Sequence, residues 1–381
     1  MTTFDSQERR ALRETVRRFT EREILPELDS WERAGELPRA LHRKAGEAGL
    51  LGVAFPEDVG GGGGDAIDAL VVAEEMLYAG ASGGLIASLF THGIALPHIA
   101  SAGDARQIDR WVRPTLAGEA IGALAITEPD GGSDVAGLRT TAERDGDEFV
   151  VNGAKTFITS GARADFVTTA VRTGRPGAHG ISLLVIERDT PGFSVSRKLD
   201  KMGWQCSDTA ELAFSDCRVP VANLVGEENT GFIQIAQHFV EERLSLAVQA
   251  YAAAQRALDL TVDWCRKRDT FGRPLIFRQL VQHKLTEMAR RIDVARSYTR
   301  DIAIRHVAGE DVLARVAFAK NTAVEAGEWV VNEAVQLHGG LGYMREAEVE
   351  RQYRDMRILG IGGGTNEIMT SLAARQLGFT A

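Results

Sequence analysis

The sequence predicts an α+β chain made of three successive parts: helical, then β, then helical again. Three observations carry that prediction. At 381 residues the chain exceeds one ordinary hydrophobic core, so two or three domains are expected. Both flanks place apolar residues at helical spacing. The centre changes to short β-type runs separated by turn residues. The expected boundaries are 1–119 for an N-terminal helical domain, 120–228 for a middle β domain and 229–381 for a C-terminal helical domain.

In the first part, Leu12, Val16 and Phe19 recur at helix spacing. Leu70, Val71, Glu74 and Met76 sit in a second such segment, which Asp65 is placed to cap. Between them, Gly60 to Gly64 has no side chains to hold regular structure and reads as a surface loop. It lacks the preceding buried strand and the following Gly-Lys-Ser or Gly-Lys-Thr that a phosphate-binding P-loop requires. In the middle part the expected strands are Phe149 to Val151, Phe166 to Val171, Ile181 to Ile186 and Glu211 to Phe214, with Asn152-Gly153 as a hairpin turn. After Gly231 helical patterns return and persist to Leu377; the stretch from Leu313 to Val335 is stopped at Gly339-Gly340.

Composition excludes several function classes. A net charge of -9 with interspersed signs leaves no basic stripe for nucleic acid. Cys206, Cys217 and Cys265 have neither CxxC spacing nor an even count, so they read as idle thiols in a reducing compartment. His92, His98, His238 and His283 show no metal-ligand spacing, and no metal is expected. The N-terminal segment carries Glu8, Arg9, Arg10, Arg13 and Glu14 rather than an apolar signal, and no later run reaches the length of a membrane span. The expectation is a soluble, cytoplasmic protein without a membrane partner.

Chemistry concentrates in two regions. In Ala125-Ile126-Thr127-Glu128-Pro129-Asp130-Gly131-Gly132-Ser133-Asp134 a β-type run ends in an acidic, glycine-containing turn that can present backbone N–H groups and hydroxyls to a phosphate or a ring edge. The second region runs from Gln336-Leu337-His338-Gly339-Gly340-Leu341-Gly342-Tyr343, through Arg354-Asp355-Met356-Arg357, to Ile361-Gly362-Gly363-Gly364-Thr365-Asn366-Glu367-Ile368. At each glycine cluster a ligand can approach the backbone closely, because no Cβ intervenes.

Together these segments resemble the acyl-CoA dehydrogenase family, over essentially the whole chain in order and spacing. Thr127 to Asp134 is similar to that family's first signature and Gln336 to Asp355 to its second. The resemblance implies an N-terminal helical domain, a middle β-barrel domain and a C-terminal four-helix bundle, with FAD between the last two. It implies flavin, pyrophosphate or pantetheine contacts at Leu124, Ile126, Thr127, Gly132 and Ser133. Phe157, Ile158 and Thr159 match the flavin wall, Phe157 shielding the ring and the Thr159 hydroxyl facing its N5; many relatives carry tryptophan where Phe157 stands. Arg268, Thr270, Phe271 and Gln279 match a segment that reaches the FAD of a neighbouring subunit. Gln336, Gly339 and Gly340 match positions for the adenosine diphosphate half, and Thr365 and Glu367 the last flavin contacts.

Abstraction of the α proton requires a carboxylate beside the substrate, with donors on the thioester oxygen where charge develops. Medium-chain and short-chain relatives place that glutamate where this chain has Gly363. Isovaleryl and long-chain relatives place it on the first long helix of the C-terminal domain, just before an arginine, and Glu242, followed by Arg243, is the match. Periodicity favours Glu242 over Glu241: it falls three residues after Phe239, seven after Ile235 and four before Leu246, on an apolar stripe that should desolvate it. Gly363 is then expected to give its backbone N–H to the thioester carbonyl, and Ser133, Arg243, Gly363 and Gly364 are the expected substrate contacts.

The reading that results is flavin-dependent α,β-desaturation of an acyl-CoA to its trans-2-enoyl thioester, with electron-transfer flavoprotein as acceptor and a homo-oligomer, in this family a tetramer, as the assembly. Acyl carrier protein is an alternative carrier. The rivals are an acyl-CoA oxidase or flavin monooxygenase on the same fold, and a non-catalytic acyl-thioester-binding flavoprotein.

Overall fold

The structure, a computed structural model, describes residues 4–380. In the N-terminal part, helices α1 (Gln7–Phe19), α2 (Ala66–Ala79) and α3 (Gly83–Leu89) are joined by shorter helices. Asp65 caps α2 as expected: its side chain accepts from Ile67 N while Asp68 reaches back to Asp65 N, a capping box. Arg9 of α1 binds both carboxylates, fastening α1 to the start of α2. The Gly60 to Gly64 loop lies at the surface yet packs tightly on its own backbone. A Cβ on Gly61 would stand 2.0 Å from the Phe55 carbonyl oxygen, so glycine is required there.

The middle part is one curled, mixed sheet of seven strands: β1 (Gly122–Ala125), β2 (Thr141–Asp145), β3 (Glu148–Thr159), β4 (Phe166–Arg172), β5 (Ile181–Glu187), β6 (Phe193–Lys198) and β7 (Thr209–Pro220). Its order is β1-β4-β2-β3-β7-β6, with β5 also on β4. β1 runs parallel to β4, while β3 pairs antiparallel with both β2 and β7. The apolar runs of β4 and β5 are buried on both faces, one against the sheet's own interior and one against helices carrying Trp111, Leu116 and Ile235.

One turn expectation is corrected. Asn152-Gly153 does not reverse the chain but lies within β3, where the pairing to β7 shifts register between Val151 and Gly153. Gly153 has φ +147°, and a Cβ there would meet Thr140 at 2.6 Å. The glycine thus serves a bulge and a close strand approach rather than a hairpin. The hairpin between β2 and β3 instead turns at Gly146-Asp147, with Gly146 at φ +63°.

The C-terminal part contains α4 (Gly231–Lys267), α5 (Gln279–Val307), α6 (Leu313–His338), α7 (Glu348–Met356) and α8 (Asn366–Gln376). α4, α5 and α6 pack on one another and α8 packs on α6, giving the four helices of a bundle. A short hairpin, β8 (Asp269–Thr270) with β9 (Arg273–Pro274), projects between α4 and α5. The helical parts are joined through Glu74 of α2, fully buried, whose carboxylate takes Arg13 of α1 at 2.5 Å, Arg300 of α5 at 2.8 Å and the Tyr251 hydroxyl of α4 at 2.6 Å. Among the described residues no single helix is long and apolar enough to cross a membrane, and no group of three His, Cys, Asp or Glu side chains is placed to hold a metal.

Candidate active site

The first cluster forms where α4 meets the turn before α8. Ile235 and Leu246 are buried on one stripe of α4, and Glu242 lies between them on that stripe. Its Oε2 is shut off from solvent and has no hydrogen-bond partner among the described residues. Burial pushes its carboxyl up to about 7, against the pull of Arg243 and Lys320. Glu241, one residue earlier, is exposed and faces His306 of α5 at 3.3 Å.

Across from Glu242 stand Gly363 and Gly364, at φ +63° and +95°. A Cβ on Gly363 would lie 3.6 Å from Glu242 Oε1 and only 2.4 Å from Leu246 Cδ1. A side chain is therefore opposed there by both backbone and space. Arg243 Nε reaches the Gly363 carbonyl at 3.4 Å, and the fully buried Lys320 of α6 donates to the Gly364 carbonyl at 2.7 Å. Thr365 caps α8, its hydroxyl accepting from Ile368 N, while Glu367 is exposed on the first turn of α8.

The second cluster forms where β1 ends. Leu124 and Ile126 are buried, and the chain then folds on itself through reciprocal bonds between Glu128 and Gly131, at 3.0 and 3.1 Å, leaving Gly131, Gly132 and Ser133 exposed. Lys155 of β3 is fully buried beneath this turn. Its ammonium donates to the Ile126 carbonyl at 3.0 Å and to Glu128 at 2.8 Å, and Glu128 also accepts Thr140 N and Arg139 N. Thr156 N donates to the Thr127 carbonyl at 2.9 Å, so turn and strand are tied twice.

Just beyond, the pairing of β3 with β7 shifts between Lys155 and Ile158. Phe157 in that irregularity adopts φ +59°, rare for a bulky residue, and stands 68% exposed while Ile158 is buried and Thr159 half-buried. A large aromatic ring is thus held out of the sheet beside the turn, at a backbone cost that packing within this chain does not explain.

These parts coincide with matches along nearly all of the chain. Models of the acyl-CoA dehydrogenase N-terminal, middle and C-terminal domains match residues 6–119, 123–217 and 229–378. The chain belongs to the acyl-CoA dehydrogenase family. It is 41% identical over 376 residues to the long-chain specific acyl-CoA dehydrogenase, mitochondrial, of Rattus norvegicus, covering 98% of this chain and 87% of that protein. The crystal structure of a candidate acyl-CoA dehydrogenase from Mycobacterium smegmatis superposes with a TM-score of 0.98 at 69% identity, covering 99% of this chain and 100% of the other. A glutaryl-CoA dehydrogenase of Mycobacterium smegmatis, solved in complex with FADH2, superposes with a TM-score of 0.92 at 26% identity, covering 99% and 96% of the two chains.

The residues present fit the flavin on which acyl-CoA dehydrogenases depend. Phe157 offers a flat exposed face, the Gly131 to Ser133 backbone is open, and nothing stands within 4 Å of where a Cβ would be on Gly131, Gly339 or Gly340. The remaining expected cofactor positions gather elsewhere. Gln336, Gly339 and Gly340 end α6, where Trp264 of α4 stacks on His338 at 5.4 Å and the Arg268 guanidinium lies 5.9 Å from the Trp264 ring centre. Thr270, the 98% exposed Phe271 and Gln279 belong to the β8–β9 projection and the exposed start of α5.

Two lysines were not singled out by the acyl-CoA dehydrogenase resemblance. Lys155 stands beside the expected flavin wall, and its bonds to Glu128 and to the Ile126 carbonyl give it a role. Lys320 falls three to four residues from Val316, Ala317, Ala323 and Val324, all buried, so a cation on the apolar stripe of α6 was the available signal.

Proposed function

We propose that the protein is an FAD-dependent acyl-CoA dehydrogenase that forms a trans double bond between the α and β carbons of an acyl thioester, with Glu242 as the base. The observation that carries this reading is the Glu242 carboxyl, shut off from solvent and unpaired at Oε2, standing across from the glycine turn at Gly363. A base works best with its pKa near the operating pH, and burial brings this carboxyl up to about 7. Gly363, Gly364 and Thr365 have backbone N–H groups with no acceptor among the described residues, which suits Gly363 N–H to hold the thioester oxygen as charge develops on it.

A flavin bound here would supply an acceptor for the β hydrogen as hydride. The chain's own part would be to hold and orient that ring through Phe157, the Thr159 hydroxyl and the Thr127 to Ser133 turn, while Glu242 takes the α proton. Gln336, Gly339 and Gly340 would receive the adenosine half. Arg268 at the end of α4, Thr270 and Phe271 in the β8–β9 projection and Gln279 at the start of α5 would reach the FAD of a second copy within a homotetramer. Electron-transfer flavoprotein would be the acceptor, and CoA or acyl carrier protein the acyl carrier.

The test is anaerobic flavin bleaching over a panel of acyl thioesters. Glu242→Gln should still bind thioester and FAD, yet bleach on the order of a hundredfold to ten-thousandfold more slowly. The wild-type rate should rise with pH around 7, as Glu242 loses its proton. Bleaching of the Gln variant at the wild-type rate would overturn the base assignment, and rapid reoxidation of the reduced flavin by oxygen would favour an oxidase.

A further inference from the structure

Two glycines in left-handed conformations form the turn opposite Glu242, so no side chain of the turn itself restrains it. Its two carbonyls are nevertheless held. Arg243 reaches Gly363 O from α4, with a long 3.4 Å contact, and Lys320 reaches Gly364 O from α6 at 2.7 Å, the shorter bond from a side chain with no solvent exposure. Because each peptide is planar and trans, a carbonyl fixed toward the helices turns the N–H of the same peptide the opposite way. Those N–H groups, Gly364 and Thr365, have no acceptor among the described residues.

We propose that Lys320 is a positioning residue for the proton-transfer step: it clamps the Gly363–Gly364 turn from α6 and sets the charge that Glu242 meets. The inference rests on Glu242 being the base. A buried ammonium is costly unless paired or hydrogen-bonded, and one carbonyl alone is a weak reason to keep a lysine there. The electrostatics supply the second reason. Lys320 is held down to about 8 by burial, with Glu242, Glu328 and Glu367 acting to raise it and Arg243 to lower it. The charged groups acting on Glu242 are Arg243 from its own helix and Lys320 from α6, both favouring the carboxylate. Lys320 therefore keeps the base ionised nearer neutral pH than burial alone would.

The test compares Lys320→Met and Lys320→Arg with the wild-type holoenzyme. Three quantities are read: the pH midpoint of anaerobic flavin bleaching by an acyl-CoA, the Glu242 carboxyl titration by 13C NMR with Glu242→Gln as the assignment control, and hydrogen exchange over 361–366. Lys320→Met should raise both midpoints by about one unit, since a cation is lost, and speed exchange of the turn. Lys320→Arg keeps the charge and should restore the midpoints. Unchanged midpoints and exchange in Lys320→Met would overturn the inference while Glu242→Gln still bleached far more slowly than wild type. If Glu242→Gln bleached normally, the base assignment would fail first. Should Lys320→Met not fold, Lys320→Arg decides: midpoints near wild type support the role, and midpoints raised despite the retained charge overturn it.

Discussion

Glu241 and Glu242 are adjacent in sequence, yet about 100° of helix rotation gives them opposite surroundings. Glu241 faces solvent and His306, while Glu242 faces the apolar stripe and the glycine turn. The burial that suits Glu242 to take a proton also opposes folding when it is ionised. Its folded-state value near 7 lies above the ordinary 4.5, so between these the native state holds a proton that the unfolded chain has released. Its contribution to stability is fully present below about 4.5 and is lost as the pH rises through 7. Glu242→Gln should therefore be more stable than wild type at pH 8, on the order of 1–3 kcal/mol, with the advantage shrinking toward pH 5. Thermal unfolding at the two pH values checks this; equal melting temperatures at pH 8 would mean that Arg243 and Lys320 compensate the charge fully.

At the scale of elements, β3 shows where sequence reading succeeds and where it stops. Its apolar start, Phe149 to Val151, was legible from the strand-type run, as were the double-sided runs of β4 and β5. The Asn152-Gly153 pair carried the local signature of a hairpin, but that signature reports only that the backbone leaves the ordinary region. Whether it becomes a turn or a bulge depends on Thr140, which lies on another segment. Lys155 was similarly opaque, because its meaning comes from Glu128, 27 residues earlier. Their pair supports the turn that leads to Ser133. Removing one partner of a buried pair leaves the other uncompensated, so Lys155→Met should cost roughly 3–5 kcal/mol, and adding Glu128→Gln should recover part of that loss. Denaturant unfolding of the single and double variants measures the coupling; strictly additive losses would show that the two residues act apart.

Over the whole molecule, Asp355 binds the three parts together. It closes the Gln336 to Asp355 segment that resembles a family signature, and nothing in its local sequence distinguishes a ligand contact from a structural one. Its carboxylate accepts from Trp204 N of the β part at 2.6 Å and from Gly83 N at the start of α3 at 3.2 Å, contacts 151 and 272 residues away. Gly203 permits this approach, since a Cβ there would lie 2.6 Å from the Arg354 carbonyl oxygen. Burial raises Asp355 to about 6, helped by the nearby Glu32 and opposed by the hydrogen bond from Trp204 N and by Arg351 and Arg354. A folded-state value raised this way gives stability that is present below the ordinary aspartate range and lost as the pH rises to about 6, above which it is constant. Asp355→Asn keeps one acceptor, sets an N–H donor against another N–H, and removes the titration. The variant should be less stable than wild type, with the gap in melting temperature wider at pH 4.5 than at pH 7. A gap of constant size over that range would mean that Asp355 does not titrate within the junction, and that its two backbone hydrogen bonds alone account for its place there.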